Sequence, residues 1–212
     1  MRNLKITFFL DGTGVIVNPA DPLHLDGLLS FCAMPADKIK MVDRNSNDIF
    51  HPELPLAKWT HSGQWGWKAS ALFPEPERHP ESIQYWRKKF RQNRMHIISG
   101  SVNLMSGMYR EYNMPMPLSL CLRMVAYAVG DRKHVSELLG KLKYLGKKTA
   151  YGKGRINNIT VKTINDDFAI EKNGKYMRYF PDENGSRFGR VKAPYWNTTG
   201  RCQTCYVGDT AR

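Results

Sequence analysis

The chain is 212 residues long, carries a formal net charge of +13 and contains four cysteines. This length can bury a substantial core, in one large domain or two small ones. No stretch approaches the roughly 20 apolar residues that a membrane-spanning helix needs, and no secretory signal is recognisable. The cysteine content favours a reduced environment over a disulfide framework, so we expect a cytoplasmic protein.

The positive charge is concentrated in two segments. Residues 85–94 contain five cations and no acid, and residues 132–155 contain eight cations and one acid. These segments supply 12 of the 13 net charges. A surplus that served solubility alone would be spread more evenly, so the pattern predicts a polyanion-binding face. A helix that binds an anionic membrane is basic and has a broad apolar face, and no such helix stands out in the sequence. Nucleic acid is therefore the leading partner.

The first predicted elements are a strand and a helix. Residues 3–10 alternate between apolar and polar, which predicts a half-buried strand that residues 15–17 continue past a bulge. Asp21 and Pro22 would begin a helix, with Asp21 as its N-cap and Pro22 as its first residue. This helix would stop at Pro35. Its apolar stripe is Leu25, Leu28, Leu29 and Cys32.

Two polar residues, His24 and Asp26, lie near the start of this predicted helix. Carboxylates favour helix N-termini whether or not they have a further role. We therefore expect both side chains to be solvated.

The middle of the chain, residues 41–117, is interrupted by prolines and predicts a long, thumb-like insertion. Within it we predict a short helix at 81–94, a strand at 96–102 and a turn at 107–109. The helix carries aromatics interleaved with cations, which suits single-stranded nucleic acid, although its aromatics could instead dock on the core. One of two predicted nucleic-acid footprints therefore lies in this segment; the other, the glycine loop, is described below. The residues of the footprint in this segment are Tyr85, Trp86, Arg87, Lys88, Lys89, Arg91 and Arg94.

The second half of the chain gives the clearest pattern. Alternation over 118–129 predicts a strand, and a helix follows at 131–143 whose first residue is a capping aspartate. A β-branched run at 156–164 predicts another strand. Residues 165–212 form a hairpin around Asn173-Gly174 and then an irregular tail.

This order of elements predicts a single α+β domain with a ferredoxin-like βαββαβ core. The second strand of that core must lie within 41–117, where the pattern does not place it.

The segment 145–155, here called the glycine loop, joins the helix 131–143 to the strand 156–164. It holds three glycines and four cations, and glycine lets another backbone approach closely. The order helix–loop–strand excludes a P-loop and a Rossmann fingerprint. A plain turn is the simpler alternative, but the charge favours an anion site. The candidate binding residues are Gly146, Lys147, Lys148, Thr149, Tyr151, Gly152, Lys153, Gly154 and Arg155.

Three segments resemble the RAMP superfamily of CRISPR-associated proteins: residues 23–29, the glycine loop and, more loosely, residues 194–196. The resemblance extends to the subunit that binds the 5′ handle of the crRNA in type IV effector complexes. It implies a RAMP core that grips this handle with the glycine loop, without catalysis or a cofactor. A protruding element, such as residues 81–94, would displace a base where guide pairing begins. The implied partners are crRNA, the backbone RAMP subunit, the large subunit and target DNA near the PAM.

A crRNA-processing endoribonuclease of the same superfamily is the main alternative. Metal-free RNA cleavage needs a base for the 2′-hydroxyl and a cation for the developing charge. The candidates are His24, His134, Lys148 and Tyr151. His134 lies in the first turn of a predicted helix, and the sequence places no second histidine at a spacing that would bring it beside His134. We therefore favour the noncatalytic interpretation.

Two further alternatives concern zinc and general RNA binding. Cys202 and Cys205 form one C-x2-C pair, which is half of a structural zinc site, whereas Cys32 and Cys121 fall on predicted core elements. Two ordinary thiols are the simpler interpretation, and we expect no metal. An RRM-type domain is disfavoured, because no predicted strand carries the aromatic run that this family uses.

Overall fold

The structure is a computed structural model that describes residues 1–35, 38, 45–46, 49–77, 80–91, 93 and 100–211. Neither of its described α-helices has the length and apolar character needed to cross a bilayer. In chain order the elements are β1 (Arg2–Leu10), β2 (Val15–Ile16), α1 (Leu25–Ala33), β3 (Lys58–His61), β4 (Gln64–Trp67), β5 (Phe73–Glu75), β6 (Glu81–Lys88), β7 (Tyr112–Ser119), β8 (Arg123–Gly130), α2 (Arg132–Leu139), β9 (Ile156–Thr163), β10 (Glu171–Lys172), β11 (Lys175–Tyr176), β12 (Arg187–Gly189) and β13 (Cys202–Thr204), with 3₁₀ turns at Gly107–Tyr109 and Thr149–Tyr151.

The central sheet has the strand order β5-β8-β1-β9 and is antiparallel throughout. Together with α1 and α2, these strands form the βαββαβ arrangement of a ferredoxin-like fold, so the predicted α+β class is confirmed. The strand that the sequence pattern did not place is β5, a three-residue edge strand. Such a short segment carries too few residues to show an alternating pattern.

The core lies between one face of this sheet and the two helices. The alternation predicted for residues 3–10 is confirmed, because the side chains at every second position of β1 from Leu4 to Leu10 are buried. The helices cover this face with Leu25 and Leu29 from α1 and with Val135 and Leu139 from α2. Fully burying one such side chain contributes about 1.5 to 3 kcal/mol.

Two predictions in the first 35 residues are wrong in detail. Residues 15–16 do not continue β1 but pair with β7 in a separate sheet of order β2-β7-β6. The helix begins at Leu25 rather than at Asp21-Pro22. The reason is that residues 23–25 make strand-like hydrogen bonds with residues 70–72, from Leu25 N to Ser70 O and from Leu72 N to Leu23 O.

The predicted helix at 81–94 is also wrong. Residues 81–88 form β6, which pairs antiparallel with β7 from Glu81 opposite Ser119 to Lys88 opposite Tyr112. This pairing with a distant segment overrides the local helical pattern. We call the β6–β7 pair the ribbon. Arg94 lies outside the described residues, as does most of the strand predicted at 96–102, and residues 100–102 form no strand.

The strand predicted at 118–129 is divided in the structure. Its first residues end β7 in the ribbon, and the central sheet takes up only β8. Between them, Leu120 and Leu122 are exposed rather than in register with the core. The apolar alternation over 118–129 continues where the chain passes from one sheet to the other. Two separate strands therefore had the pattern of one long strand.

The remaining predicted elements are confirmed with shorter bounds. Asp131 caps α2 by accepting a hydrogen bond from the His134 backbone N–H. The hairpin forms between β10 and β11, with Asn173 and Gly174 at φ of 54° and 72°. Both residues of a type I′ turn need positive φ, which is why Asn-Gly marked it.

Candidate nucleic-acid interface

The glycine loop is closed at its base by the chain on either side of it. Leu145 N donates to Gly154 O at 2.7 Å, and Ile156 N donates to Lys143 O at 2.9 Å. These two hydrogen bonds extend the edge of the sheet by one bridge, between Tyr144 and Arg155. The loop therefore projects from the end of the sheet at which β1 stops and β9 begins.

The turn after β1 and the short strand β2 that follows it are hydrogen-bonded to the glycine loop. Gly154 N donates to Gly14 O at 2.8 Å, and Lys147 N donates to Ile16 O at 3.0 Å. The Lys153 ammonium donates to Thr13 O at 2.9 Å. Lys153, a predicted phosphate ligand, thus also holds the loop onto this turn.

The three glycines of the loop serve different purposes, although all have positive φ. A Cβ on Gly154 would lie 1.9 Å from Leu145 O, and one on Gly146 would lie 2.6 Å from Ile16 O. A Cβ on Gly152 would have no described atom within 4 Å. The close backbone approach at Gly146 and Gly154 is therefore made by the protein's own chain, whereas the Cβ position of Gly152 faces open space.

Lys148 occupies an unusual backbone conformation for a residue with a side chain. Its φ of 59° and ψ of 36° are left-handed, and it precedes the 3₁₀ turn Thr149–Tyr151, which its own side chain does not cap. Such conformations cost of order 1 to 3 kcal/mol and cluster at functional sites. The Lys148 side chain therefore leaves the loop from a strained backbone position.

That side chain contacts the ribbon. The Lys148 ammonium lies 3.9 Å from the centroid of the Trp86 ring, in a cation–π contact. Tyr151 meets the same ring edge-on, with centroids 4.4 Å apart and planes at 78°. Trp86 in turn donates from Nε1 to the Tyr112 hydroxyl at 2.6 Å. The two basic segments singled out in the sequence are therefore joined at Trp86.

The ribbon presents cations and aromatics on both faces. Strand alternation puts Lys88 on the same face as Trp86, and puts Tyr85 and Arg87 on the other. On that second face the Arg87 guanidinium carbon lies 5.1 Å from the Tyr85 ring centroid, and Arg87 Nε donates to Asn113 Oδ1 at 2.8 Å. Lys89 and Arg91 follow the strand and are exposed.

Several of the predicted binding residues are accessible. Tyr151 is 64% exposed, and Lys147, Gly152 and Arg155 are also exposed. Lys148 and Thr149 are partly buried. The accessible surface of the loop is thus cationic with one aromatic ring, and it borders the ribbon.

The candidate residues of the nuclease alternative are not brought together. His24 is only 4% exposed, whereas His134 is largely exposed at the start of α2. That helix follows Gly130, which pairs with Arg2, at the end of the sheet opposite to the glycine loop. Lys148 and Tyr151 therefore do not have His134 beside them, and the buried ring of His24 packs against Tyr179 and Tyr195.

A buried polar network was missed by the sequence reasoning, which expected His24 and Asp26 to be solvated. Asp26 is fully buried, accepts a hydrogen bond from the Tyr195 hydroxyl at 2.8 Å and lies 3.7 Å from the Arg178 guanidinium. Burial raises the pKa of Asp26, while Arg178 and Tyr195 oppose the rise. The network fastens residues 165–211, here called the C-terminal segment, to α1, and a partner 169 residues away leaves no local signal.

His24 lies between two tyrosines of the same segment. Its ring centroid is 4.5 Å from those of Tyr179 and Tyr195, and neither ring nitrogen has a hydrogen-bond partner among the described residues. Burial lowers the pKa of His24 well below 6.5, and Arg178 and Arg187 add to the effect. The histidine is thus kept neutral as part of the core.

The two cysteines of the C-x2-C pair lie in the C-terminal segment. Cys205 is buried, its sulfur accepts a hydrogen bond from Phe180 N at 3.3 Å, and burial raises its pKa to about 11. Cys202 is partly buried on β13. In the described part of the chain, no group of three or more histidine, cysteine or acidic side chains could hold a metal ion.

Comparison with known proteins identifies the family. No curated protein matches the chain. Residues 2–207, nearly the whole sequence, match the family described as CRISPR type IV associated protein Csf3. The chain therefore belongs to the Csf3 family of type IV CRISPR-associated proteins.

Proposed function

We propose that this chain is the crRNA-binding subunit of a type IV CRISPR effector complex, and that it is a RAMP protein. In this proposal the glycine loop and the ribbon together grip the repeat-derived 5′ handle. Membership of the Csf3 family supports a place in the effector. The ferredoxin-like core, with a glycine loop between its last helix and last strand, supports the RAMP assignment.

The contact between Lys148 and Trp86, at 3.9 Å, is the observation that carries the proposal. It turns two basic segments that are distant in sequence into one surface on which cations border aromatic rings. Single-stranded RNA is bound in this way, because phosphates pair with cations while unstacked bases lie on aromatic side chains. A surface that served only solubility would not need aromatic rings between the charges.

The residues of this surface have distinct proposed roles. Lys147 and Arg155 bind phosphates from the exposed flank of the loop. Lys148 binds a phosphate at the junction, and Tyr151 and Trp86 offer ring surface to an unstacked base. Gly152 leaves the space through which the RNA backbone approaches, since a Cβ there would contact nothing within the described chain.

The proposal assigns no catalytic step to the chain. The buried position of His24 and the distant position of His134 support this choice over the nuclease alternative. The backbone RAMP subunit, the large subunit and target DNA near the PAM remain proposed partners. In this proposal Lys89 and Arg91, which follow β6 and are exposed, can contact this target DNA.

Filter binding tests the proposal directly. The full chain is titrated with a repeat-derived handle RNA and with a scrambled RNA at two salt concentrations, and the bound RNA is then run on a denaturing gel. We expect tighter binding of intact handle RNA. Removing one phosphate contact with Lys148→Ala should reduce the salt slope by about one unit. Lys175→Ala, which removes an exposed charge from the Asn173-Gly174 hairpin, is the matched control and should leave the slope unchanged.

The opposite results are equally clear. An unchanged slope in Lys148→Ala would remove the junction from the interface. Metal-independent cleavage that His134→Ala abolishes would establish the nuclease alternative. Equal binding of both RNAs would show that this chain alone does not select the handle.

A further inference from the structure

A second concentration of cations surrounds Trp65, outside the proposed handle interface. The Lys192 ammonium lies 3.4 Å from the centroid of the Trp65 ring, and the Lys58 ammonium lies 5.1 Å from the same centroid. Arg190 is 4% exposed and uses Nη1 to donate to Asn197 Oδ1 at 3.1 Å and to Thr199 O at 3.0 Å. Its buried Nε has no hydrogen-bond partner among the described residues.

The charges of this cluster are not balanced within the described chain. Glu53 pairs with Lys58 at 2.9 Å, whereas neither Lys192 nor Arg190 forms an ion pair with a described residue. Burial together with Arg190 and Lys58 lowers the pKa of Lys192 to about 8. Crowding of like charges that are partly removed from water is costly, and a bound anion would relieve it.

An apolar cavity of about 400 Å³ adjoins the cluster. His51 links the two, because it lies in the cavity wall and its ring centroid is 6.4 Å from that of Trp65. The wall is rich in aromatic rings, and Trp196 is 49% exposed. Ligand pockets have volumes of about 300 to 1,000 Å³, so one nucleobase with its sugar fits this space. The aromatic residues of the wall are Phe31, Phe50, Tyr195 and Trp196.

This site is remote from the glycine loop. Leu56, two residues before β3, bridges to Gly130, which pairs with Arg2 at the beginning of β1. The glycine loop lies beyond Leu10, at the end of β1. The eight residue steps of the strand between them span about 26 Å.

We propose that the cavity and the cation cluster form a second nucleotide-binding site, which takes one unpaired nucleotide of a nucleic-acid strand. The base enters the aromatic cavity, and its phosphate binds Lys192, with Arg190 and Lys58 adding charge. Charge complementarity selects this occupant, since an aromatic pocket beside Lys192 and Arg190, which form no ion pair with a described residue, matches a base that carries a phosphate. The inference rests on the proposed function only for its choice of nucleic acid over other anions.

The test uses the full chain with Lys148→Glu, which disables the proposed handle interface. Binding of 5′-phosphorylated tetra-adenylate RNA is measured by calorimetry. We expect the Lys148→Glu protein to keep this binding. Adding Lys192→Glu or Trp196→Ala should weaken it about tenfold, since losing one phosphate contact or one stacked base has an effect of this size. Adding Lys175→Glu, the matched control, should change it less than twofold.

Other outcomes overturn the inference. Loss of tetra-adenylate binding in Lys148→Glu alone would show that the glycine loop is the only site, and equal affinities in Lys192→Glu and Lys175→Glu would show nonspecific charge. Displacement of the RNA by a hexaglutamate peptide at equal concentration would instead assign the cluster to an acidic protein partner. Failure of the handle proposal is distinguishable, because it concerns the effect of Lys148→Ala on handle RNA. Unchanged far-ultraviolet circular dichroism and a cooperative thermal transition confirm that each variant is folded.

Discussion

Replacing Gly154 by alanine should destabilise the protein far more than the same change at Gly152. Both residues have positive φ, of 69° and 76°. Their surroundings differ, because the new Cβ would lie 1.9 Å from Leu145 O in the first case and within 4 Å of no described atom in the second. The pair therefore separates the cost of the backbone conformation from the cost of crowding.

The magnitudes follow from these contacts. At Gly152 the left-handed conformation costs about 1 to 2 kcal/mol, and a stiffer unfolded chain offsets about 0.4 to 1 of it, so the net loss is about 1 kcal/mol. At Gly154 the backbone must also move by more than 1 Å to bring the 1.9 Å approach to the 3.0 Å that real Cβ contacts require. That movement disrupts the hydrogen bonds from Leu145 N to Gly154 O and from Gly154 N to Gly14 O. Each contributes about 1 kcal/mol, which brings the total to about 3 kcal/mol.

Urea unfolding monitored by tryptophan fluorescence measures the difference. With a slope of about 2 kcal/mol per molar urea, the midpoint should fall by about 1.5 M in Gly154→Ala and by about 0.5 M in Gly152→Ala. Equal shifts in the two variants would refute the reasoning, because they would mean that the loop does not rest on its own backbone. Gly152→Asn is a further control, since asparagine tolerates this conformation.

Three other predictions concern the C-terminal segment and the His24 ring that packs against it. Because the folded-state pKa of His24 is lowered, its contribution is fully present above pH 6.5 and is lost as the pH falls from there towards the folded-state pKa. Stability should fall by up to about 1.4 kcal/mol per pH unit relative to His24→Phe, measured by urea unfolding at several pH values, and parallel profiles would contradict the burial of this ring. Cys205→Ala should cost about 1 to 3 kcal/mol through loss of its buried contacts, whereas Cys202→Ala should cost less than about 0.5. Incubation with EDTA should leave the Tm of the wild-type protein unchanged, and a large decrease would instead support a zinc site at these cysteines.

Local patterns predicted the parts of the fold that local forces decide. A few neighbouring residues determine each of three features: the alternation of β1, the capping aspartate of α2 and the Asn173-Gly174 turn. The glycine loop was recognisable for the same reason. Its glycines must have positive φ, and its cations stand next to one another in the chain.

Pairing between distant segments decided the rest. Residues 81–88 become a strand because β7 is available to them, and nothing within the segment itself specifies that partner. Asp26 looked like a solvated first-turn residue, yet Tyr195 and Arg178 bury it. The junction at Trp86 depends on the same kind of long-range contact, so the sequence indicated both halves of the candidate interface but not that they meet.

Photo-crosslinking of the handle RNA tests the central claim most directly. Single 4-thiouridine substitutions are placed along the repeat-derived handle, each RNA is bound to the wild-type chain and irradiated, and the crosslinked peptides are identified by mass spectrometry. We predict that the same or adjacent nucleotides crosslink to Tyr151 in the glycine loop and to Trp86 in the ribbon, because these rings lie 4.4 Å apart. Crosslinks confined to peptides that contain neither residue would contradict the account.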